Sequence, residues 1–300
     1  KKKPSTPTAE TAKLSPDSVF KNLQWRNIGP TRGGRANAIS GVVNNSKRFY
    51  AGYTGGGVWE TIDGGLKWKN ISDGFFNVGS IGDIAVSESD PNVIYVGSGE
   101  HAVRGVMTSY GDGVYKSTNG GVTWKNIGLE KTRHIADIAV HPTNSDIVYV
   151  AAYGPVWSSG GERGIYKTTD GGKSWKQVLN VSEHTGFNEV MVDPRHPNIV
   201  YAAAHQRQRK VFTYIGGGPE SALYKSVDGG ATWNKMMNGL PGGDIGRIGL
   251  NYSPVNPDVL YCVVEAPEGK GGVFKSTDRG ASWEKQSGYS TSGNYYQKIY

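Results

Sequence analysis

The sequence predicts an all-β protein, a β-propeller of four-stranded antiparallel blades, and three observations carry that prediction. The first is composition. The 300 residues include 44 Gly, 8 Trp and 17 Tyr, a glycine share twice the ordinary value of about 7%. There is no every-third-residue period of the collagen kind, and the chain is too aromatic for simple disorder. The second is an eight-residue pattern, Ser/Thr-x-Asp-x-Gly-x-x-Trp, that recurs five times. Its tryptophans, Trp68, Trp124, Trp175, Trp233 and Trp283, stand 56, 51, 58 and 50 residues apart, a period that suits blades and is too long for the coils of a β-helix. The third is a pair of β-rich runs in each interval, split by a Pro/Asn/Asp turn, as in Asp83-Ile84-Ala85-Val86 followed by Val93-Ile94-Tyr95-Val96.

Taken in chain order, residues 1–22 come first. They are rich in Lys, Ser, Thr and Pro and poor in large apolar residues, so they cannot offset their ordering entropy and read as a flexible linker. Residues 23–300 read as propeller. In the first full blade strand a is expected at 36–43, strand b at 48–53, strand c at 58–61 and strand d at 68–71, with turn residues between them. The recurring pattern falls between strands c and d as Thr61–Trp68, Ser117–Trp124 (with Asn119 for Asp), Thr168–Trp175, Ser226–Trp233 and Ser276–Trp283. There the short Asp side chain accepts backbone N–H bonds, Gly supplies positive φ, and Trp is expected to plug the hairpin locally. An element present in every blade serves architecture rather than a single active site.

The two ends are expected to be partial blades. Trp25-Arg26-Asn27-Ile28 repeats Trp68-Lys69-Asn70-Ile71, so the chain enters on an outer strand d. Tyr295-Tyr296-Gln297-Lys298-Ile299-Tyr300 reads as a strand a without its b and c. Five complete blades plus partial ones imply a fragment of a larger ring that continues beyond Tyr300. The alternative is a five-bladed ring sealed by its end strands.

Several function classes are set aside. The single Cys262 lies in the apolar run Val259–Val264 and reads as core. No Cys/His spacing resembles a zinc site, and no HExxH, GxSxG or phosphate loop occurs, so no metal or cofactor is expected. The apolar runs are strand-sized, short of the ~20 residues a transmembrane helix needs. The formal charge of +7 contains +3 from residues 1–21, which leaves a weak polyanion signal and argues against nucleic acid as partner.

Sites are expected on the face opposite the five repeated turns, where b–c loops and d–a crossovers lie. The b–c loops vary in length and collect His, Arg and aromatic residues, and variable loops on a rigid scaffold are where binding sits. The candidate ligand-binding residues are Arg32, Arg35, His101, Arg104, Arg133, His134, Trp157, His205, Arg209, Tyr214 and Arg247, a set suited to carboxylates, peptide backbones or sugars. A second series, Asn37, Asp83, Asp137, Glu189 and Arg247, opens the inner strands at matching positions. Asp83, Asp137 and Glu189 are the weak catalytic candidates, since glycoside hydrolysis needs two carboxylates about 5–9.5 Å apart. The preferred reading of that series is a ring that bonds backbone and channel water.

The five repeated turns resemble Asp-box (BNR) repeats, and residues 25–300 are similar to the propeller shared by sortilin-type (VPS10) domains, sialidases and xyloglucanase-like glycosidases. The stretches Trp25–Arg35, Gly55–Trp59 and Thr132–Ile135 resemble the N-terminal part of large bacterial extracytoplasmic propeller proteins. The resemblance implies an extracytoplasmic location and either ligand binding or glycosidase activity. Xyloglucanase-like enzymes carry a catalytic aspartate in a Thr-Asp-Ile-Gly-Gly segment, where this chain has Gly52-Tyr53-Thr54-Gly55-Gly56-Gly57 without a carboxylate. Sialidases use three arginines, and nothing marks three of Arg32, Arg35, Arg104, Arg133 and Arg247 as a triad. The expectation is therefore a non-catalytic scaffold that binds a protein, peptide or glycan within a larger envelope or secreted assembly. The alternative is a glycoside hydrolase whose cleft is completed beyond Tyr300.

Overall fold

The computed structural model describes residues 34–101, 109–290 and 298–299. Five four-stranded antiparallel sheets follow one another along the chain. Blade one holds β1 (Ala36–Val42), β2 (Asn45–Tyr53), β3 (Gly57–Thr61) and β4 (Lys69–Asn70). Blade two holds β5 (Ile81–Val86), β6 (Ile94–Ser98), β7 (Val114–Ser117) and β8 (Lys125–Asn126). Blade three holds β9 (Ile135–His141), β10 (Asn144–Ala152), β11 (Gly164–Thr168) and β12 (Lys176–Leu179). Blade four holds β13 (Thr185–Val192), β14 (Val200–Gln206), β17 (Ala222–Ser226) and β18 (Asn234–Lys235), with a separate hairpin, β15 (Gln208–Arg209) and β16 (Tyr214–Ile215), between its second and third strands. Blade five holds β19 (Ile248–Tyr252), β20 (Leu260–Val264), β21 (Gly272–Ser276) and β22 (Glu284–Ser287). The strands expected in the first blade match these bounds to within a few residues, and the outer strands are the shortest because each pairs along one edge only.

The inner strands β1, β5, β9, β13 and β19 pack in series around the axis. Apolar side chains from facing sheets fill four interfaces, as when Tyr201, Ala203 and Leu223 of blade four meet Leu250, Leu260, Cys262 and Phe274 of blade five. Cys262 is fully buried there, and burial pushes its thiol pKa up.

Each Asp-box turn is held by its own side chains. In blade four Ser226 Oγ accepts from Gly230 N at 2.8 Å and Asp228 Oδ1 accepts from Thr232 N at 2.9 Å. Blade five repeats this with Ser276 and Asp278, and blade two with Ser117 and Asn119, which shows that the acceptor oxygen matters rather than the charge. Gly229 and Gly230 have φ of 68° and 90°, a region that L side chains seldom occupy. Hydrogen bonds from the Ser174 and Thr232 hydroxyls, then from the backbone N–H groups of the same residues, hold the Asp170 and Asp228 carboxyls well below the usual carboxylate range.

The tryptophans do more than the local plug the sequence suggests. Trp124 Nε1 donates to Ile71 O at 2.9 Å, Trp175 Nε1 to Ile127 O at 2.8 Å and Trp283 Nε1 to Met236 O at 3.1 Å, each in the preceding blade. The box therefore joins neighbouring blades as well as closing its own hairpin. Trp233 instead bonds Gly230 O of its own turn. Residues 1–33, with the linker and Trp25–Ile28, lie outside the described residues, as do 102–108, 291–297 and Tyr300.

Candidate ligand-binding face

The b–c loops and d–a crossovers gather at one end of the blades because antiparallel order sends both to the side opposite the Asp boxes. Of the candidates there, Arg32 and Arg104 lie outside the described residues. The rest form three groups.

The first group occupies the axis. His101, buried at the start of the blade-two b–c loop, has Nδ1 2.7 Å from Ala136 O and Nε2 2.7 Å from Arg247 Nη2. Arginine only donates, so His101 Nε2 accepts and Nδ1–H donates to the carbonyl, which makes the ring neutral. Burial, then the Arg247 charge, pushes its pKa well below the usual histidine value. Arg247 Nη2 also lies 3.9 Å from Glu189 Oε1, and Lys298 Nζ stands 3.8 Å from Glu189 Oε2 and 3.7 Å from Asp137 Oδ1. A channel cavity of about 250 Å³ is lined by Asp137, Glu189 and Lys298 together with Leu250, Asn251 and Tyr252.

Two of the axial carboxylates are tied to backbone. Asp83 Oδ2 accepts from Ile138 N at 2.8 Å and Asp137 Oδ2 from Val190 N at 2.9 Å, each reaching the inner strand of the next blade. Burial raises the pKa values of Asp83 and Glu189, with the neighbouring Asp137 charge adding to the effect. Asn37 Nδ2 donates to Ile81 O and Asn188 Nδ2 to Ile248 O in the same blade-to-blade sense.

The register corrects the matching of positions. Inner strands β1, β5, β9 and β13 each carry one extra residue, Asn37, Gly82, Ala136 and Asn188, whereas β19 pairs with β20 without interruption. Asn37 is thus the counterpart of Asn188, and Gly249 rather than Arg247 stands at the rung of Asp83. Arg247 precedes the strand and reaches His101 and Glu189 from the loop side. A bulge adds one residue without changing the apolar pattern, so counting along the sequence slips there.

The second group lies between blades one, two and three. Arg35 pairs with the buried Glu100 through Nε at 3.1 Å and through Nη2, and Glu100 Oε2 accepts from Ser109 N. Sequence reasoning missed Glu100; its one signal is its place beside His101 at the end of a strand. Arg133, at φ 62°, lies over the Tyr110 ring at 5.4 Å, and buried His134 meets the same ring edge-on at 5.2 Å. Burial lowers the His134 pKa to about 3.

The third group is built on the β15–β16 hairpin. His205 Nδ1 accepts from Tyr153 Oη at 2.8 Å while Nε2–H donates to Gly216 O at 2.9 Å, fixing the base of the hairpin. Burial lowers the His205 pKa to about 3. Arg209 N donates to Val156 O, docking the hairpin on the blade-three loop. The Arg209 guanidinium then lies 5.8 Å from both the Trp157 and Tyr214 ring centroids, and Arg207 lies over Tyr214 at 4.9 Å. Among the described residues Arg209 makes no side-chain hydrogen bond or ion pair, and its Nε is unpartnered. At the hairpin tip Val211 and Phe212 are 93% and 88% exposed.

Among the described residues no cluster of three His, Cys, Asp or Glu side chains could hold a metal, and no helix is long and apolar enough to cross a membrane.

Comparison with known proteins agrees with this architecture. The family model described as Sortilin, neurotensin receptor 3 (Sortilin-Vps10) matches residues 112–240. A xyloglucanase from Paenibacillus sp is 22% identical over 238 residues, 71% of this chain and 22% of the enzyme. A xyloglucanase from Hypocrea jecorina is 27% identical over 186 residues, 58% of this chain and 20% of the enzyme. The chain thus spans about a fifth of the length of these curated relatives. Among solved structures, the Niastella koreensis GH74 enzyme superposes with a TM-score of 0.60 at 19% identity, covering 83% of this chain and 38% of the enzyme. YCF48 bound to D1 peptide superposes with a TM-score of 0.52 at 14% identity, covering 85% of this chain and 69% of that one. The chain is an all-β Asp-box propeller with a Sortilin-Vps10 match over residues 112–240, and it is distantly similar to the GH74 xyloglucanases.

Proposed function

We propose that this propeller is a binding scaffold that captures a carboxylate-bearing protein segment on its b–c loop face, and that it is not a hydrolase. The observation that carries the reading is Arg209. Its guanidinium lies 5.8 Å from the centroids of both the Trp157 and Tyr214 rings and makes no hydrogen bond of its own among the described residues. These contacts leave its Nη groups without a partner among the described residues, and a guanidinium pairs bidentately with a carboxylate. A peptide is favoured over a glycan on two grounds. Arg207 and Arg209 already lie over the Tyr214 ring, and Arg209 over Trp157, which takes up faces a sugar would stack on. Val211 and Phe212 beside them offer apolar anchors of the kind side chains meet at protein interfaces.

The axial carboxylates support the same reading. Asp83 and Asp137 each spend an oxygen on the next blade's backbone, and Glu189 is buried between Arg247 and Lys298. Titrating the protein with acidic peptides and with matched peptides carrying Gln and Asn for Glu and Asp tests the proposal: acidic peptides bind and the matched ones do not. Turnover of xyloglucan or sialosides that is abolished by changing Asp83 or Asp137 overturns it. An extracytoplasmic location, and a place in a larger envelope or secreted assembly, complete the proposal.

A further inference from the structure

The rims of blades two and three carry positive charge that the fold does not use. Each outer strand begins just past its Asp-box tryptophan, and its first rung faces the third strand. At that rung blade one sets Lys69 across from Glu60 and blade five sets Glu284 across from Lys275, opposite signs in both. Blade four sets neutral Asn234 across from Lys225. Blades two and three instead place Lys125 across from Lys116 and Lys176 across from Lys167. Like charges directly opposite one another destabilise a strand pair. These two rims therefore forgo a stabilising contact that two sister blades make.

Where blade two meets blade three, the lysines converge on a groove of about 620 Å³. Lys116, Thr118, Thr123, Trp124 and Lys125 line it from blade two and Lys173 from the blade-three Asp box, and among the described residues no carboxylate lines it. Lys116 is engaged: it lies over Tyr95, donates to Gly171 O at 3.1 Å and pairs with Asp146 at 3.3 Å. Nearby Asp170 is engaged too, accepting from the Thr168 and Ser174 hydroxyls and from Ser174 N. Lys125 and Lys173 are exposed and have no hydrogen bond or ion pair among the described residues. The junction of blades three and four uses the same positions, with Lys167 donating to Gly229 O at 2.7 Å and Lys176 in the place of Lys125. Its groove is about half as large, at about 300 Å³, Asp228 lines it, and Ala231 stands where Lys173 does.

We propose that the groove between blades two and three binds an acidic saccharide, its carboxylate or sulfate paired with Lys125 and Lys173 and its ring set against Trp124 and the hydroxyls of Thr118 and Thr123. Two unpaired ammonium groups around a space free of carboxylates select an oxyanion. The indole and the two hydroxyls supply the mixed apolar and polar lining that a sugar ring uses and a bare inorganic ion does not. The groove has the size of an ordinary small-ligand site, about 300–1,000 Å³, and a recess between two blade tips admits a sugar unit rather than a flat bilayer surface. The site is built at the Asp-box end of the blades, opposite the b–c loop face, so it does not depend on peptide capture there.

The test is titration calorimetry at about 0.15 M salt, where charges more than about 8 Å apart are screened, with tetragalacturonate, a sulfated tetrasaccharide and uncharged maltotetraose. At least one acidic probe should bind, which identifies the oxyanion, and maltotetraose should not. Lys125→Glu should weaken that binding about tenfold or more while leaving Tm unchanged or raised, because it gives Lys116 the opposite-sign partner that Lys275 has in Glu284. Lys173→Glu should weaken it similarly, and Lys176→Glu, in the neighbouring groove, should not. Failure of both acidic probes to bind the unaltered protein overturns the proposal, as does undiminished binding in Lys125→Glu or an equal loss in Lys176→Glu. Capture of phosphatidylglycerol vesicles in place of the saccharides, lost in Lys125→Glu, assigns the groove to a lipid headgroup and overturns it as well.

Discussion

Replacing Asp137 by Ala distinguishes a blade staple from a catalytic carboxylate. The substitution removes the acceptor of the 2.9 Å bond from Val190 N, whose residue is 2% exposed, so no water replaces it. A hydrogen bond to an ionised acceptor contributes about 1.5–3 kcal/mol, and the orphaned N–H puts the loss toward the upper end of that range. With a urea slope of about 3 kcal/mol/M, a loss of 2–3 kcal/mol lowers the unfolding midpoint by about 0.7–1 M. Asp137→Asn keeps an acceptor oxygen and should lose less than about 1.5 kcal/mol, the contribution of an ordinary hydrogen bond. The assay is urea unfolding followed by tryptophan fluorescence, with peptide binding measured on the folded variants and expected to be unchanged. An unaltered midpoint for Asp137→Ala would refute the staple. Equal loss of a polysaccharide-hydrolysing activity in both variants, at unchanged stability, would refute the scaffold as well.

Three other outcomes follow from the same geometry. His134 and His205 hold folded pKa values near 3 by burial, against about 6.5 unfolded; the unfolded chain therefore binds protons first on acidification. Their contribution to stability is full above pH 6.5 and declines as the pH falls toward 3, and a plot of Tm against pH should flatten in His205→Gln. Trp124→Phe loses the 2.9 Å bond to Ile71 O and part of an interface side chain, at about 2 kcal/mol; an unchanged urea midpoint would remove the tryptophan from the blade junction. Arg35→Ala leaves the buried Glu100 carboxylate without its guanidinium. Breaking a buried pair from one side costs about 3–5 kcal/mol, reduced here because Arg35 is 43% exposed, and Glu100→Gln should recover part of the loss.

Legibility in the sequence tracked how local each interaction is. An Asp box is complete within eight consecutive residues: Ser226, Asp228 and Gly230 close their own turn, so its five copies announced five blades. The outward reach of Trp124 to Ile71 and of Lys167 to Gly229 belongs to neighbouring blades and has no local signature. Arg247 was assigned to the wrong rung because β19 lacks the bulge that the other inner strands carry. The contacts of Arg209 with Trp157 and Tyr214 depend on a hairpin inside what reads as one long b–c loop, Ala204–Ser221. The residues were visible as candidates, but Trp157 comes from a different blade and only the docking of Arg209 N on Val156 O brings the rings together. Glu100 stayed hidden because one carboxylate beside a histidine carries no pattern.

Arg209→Lys is the most direct measurement. It keeps the charge but removes the planar fork and its contacts with the Trp157 and Tyr214 rings. Titration calorimetry of an acidic peptide selected for binding to the protein should show affinity falling about 10–100-fold in Arg209→Lys, or about 1.4–2.8 kcal/mol, with Tm unchanged. Trp157→Ala should give a similar loss. Undiminished binding in both variants would contradict a carboxylate site on the β15–β16 hairpin and, with it, the proposed function of this face.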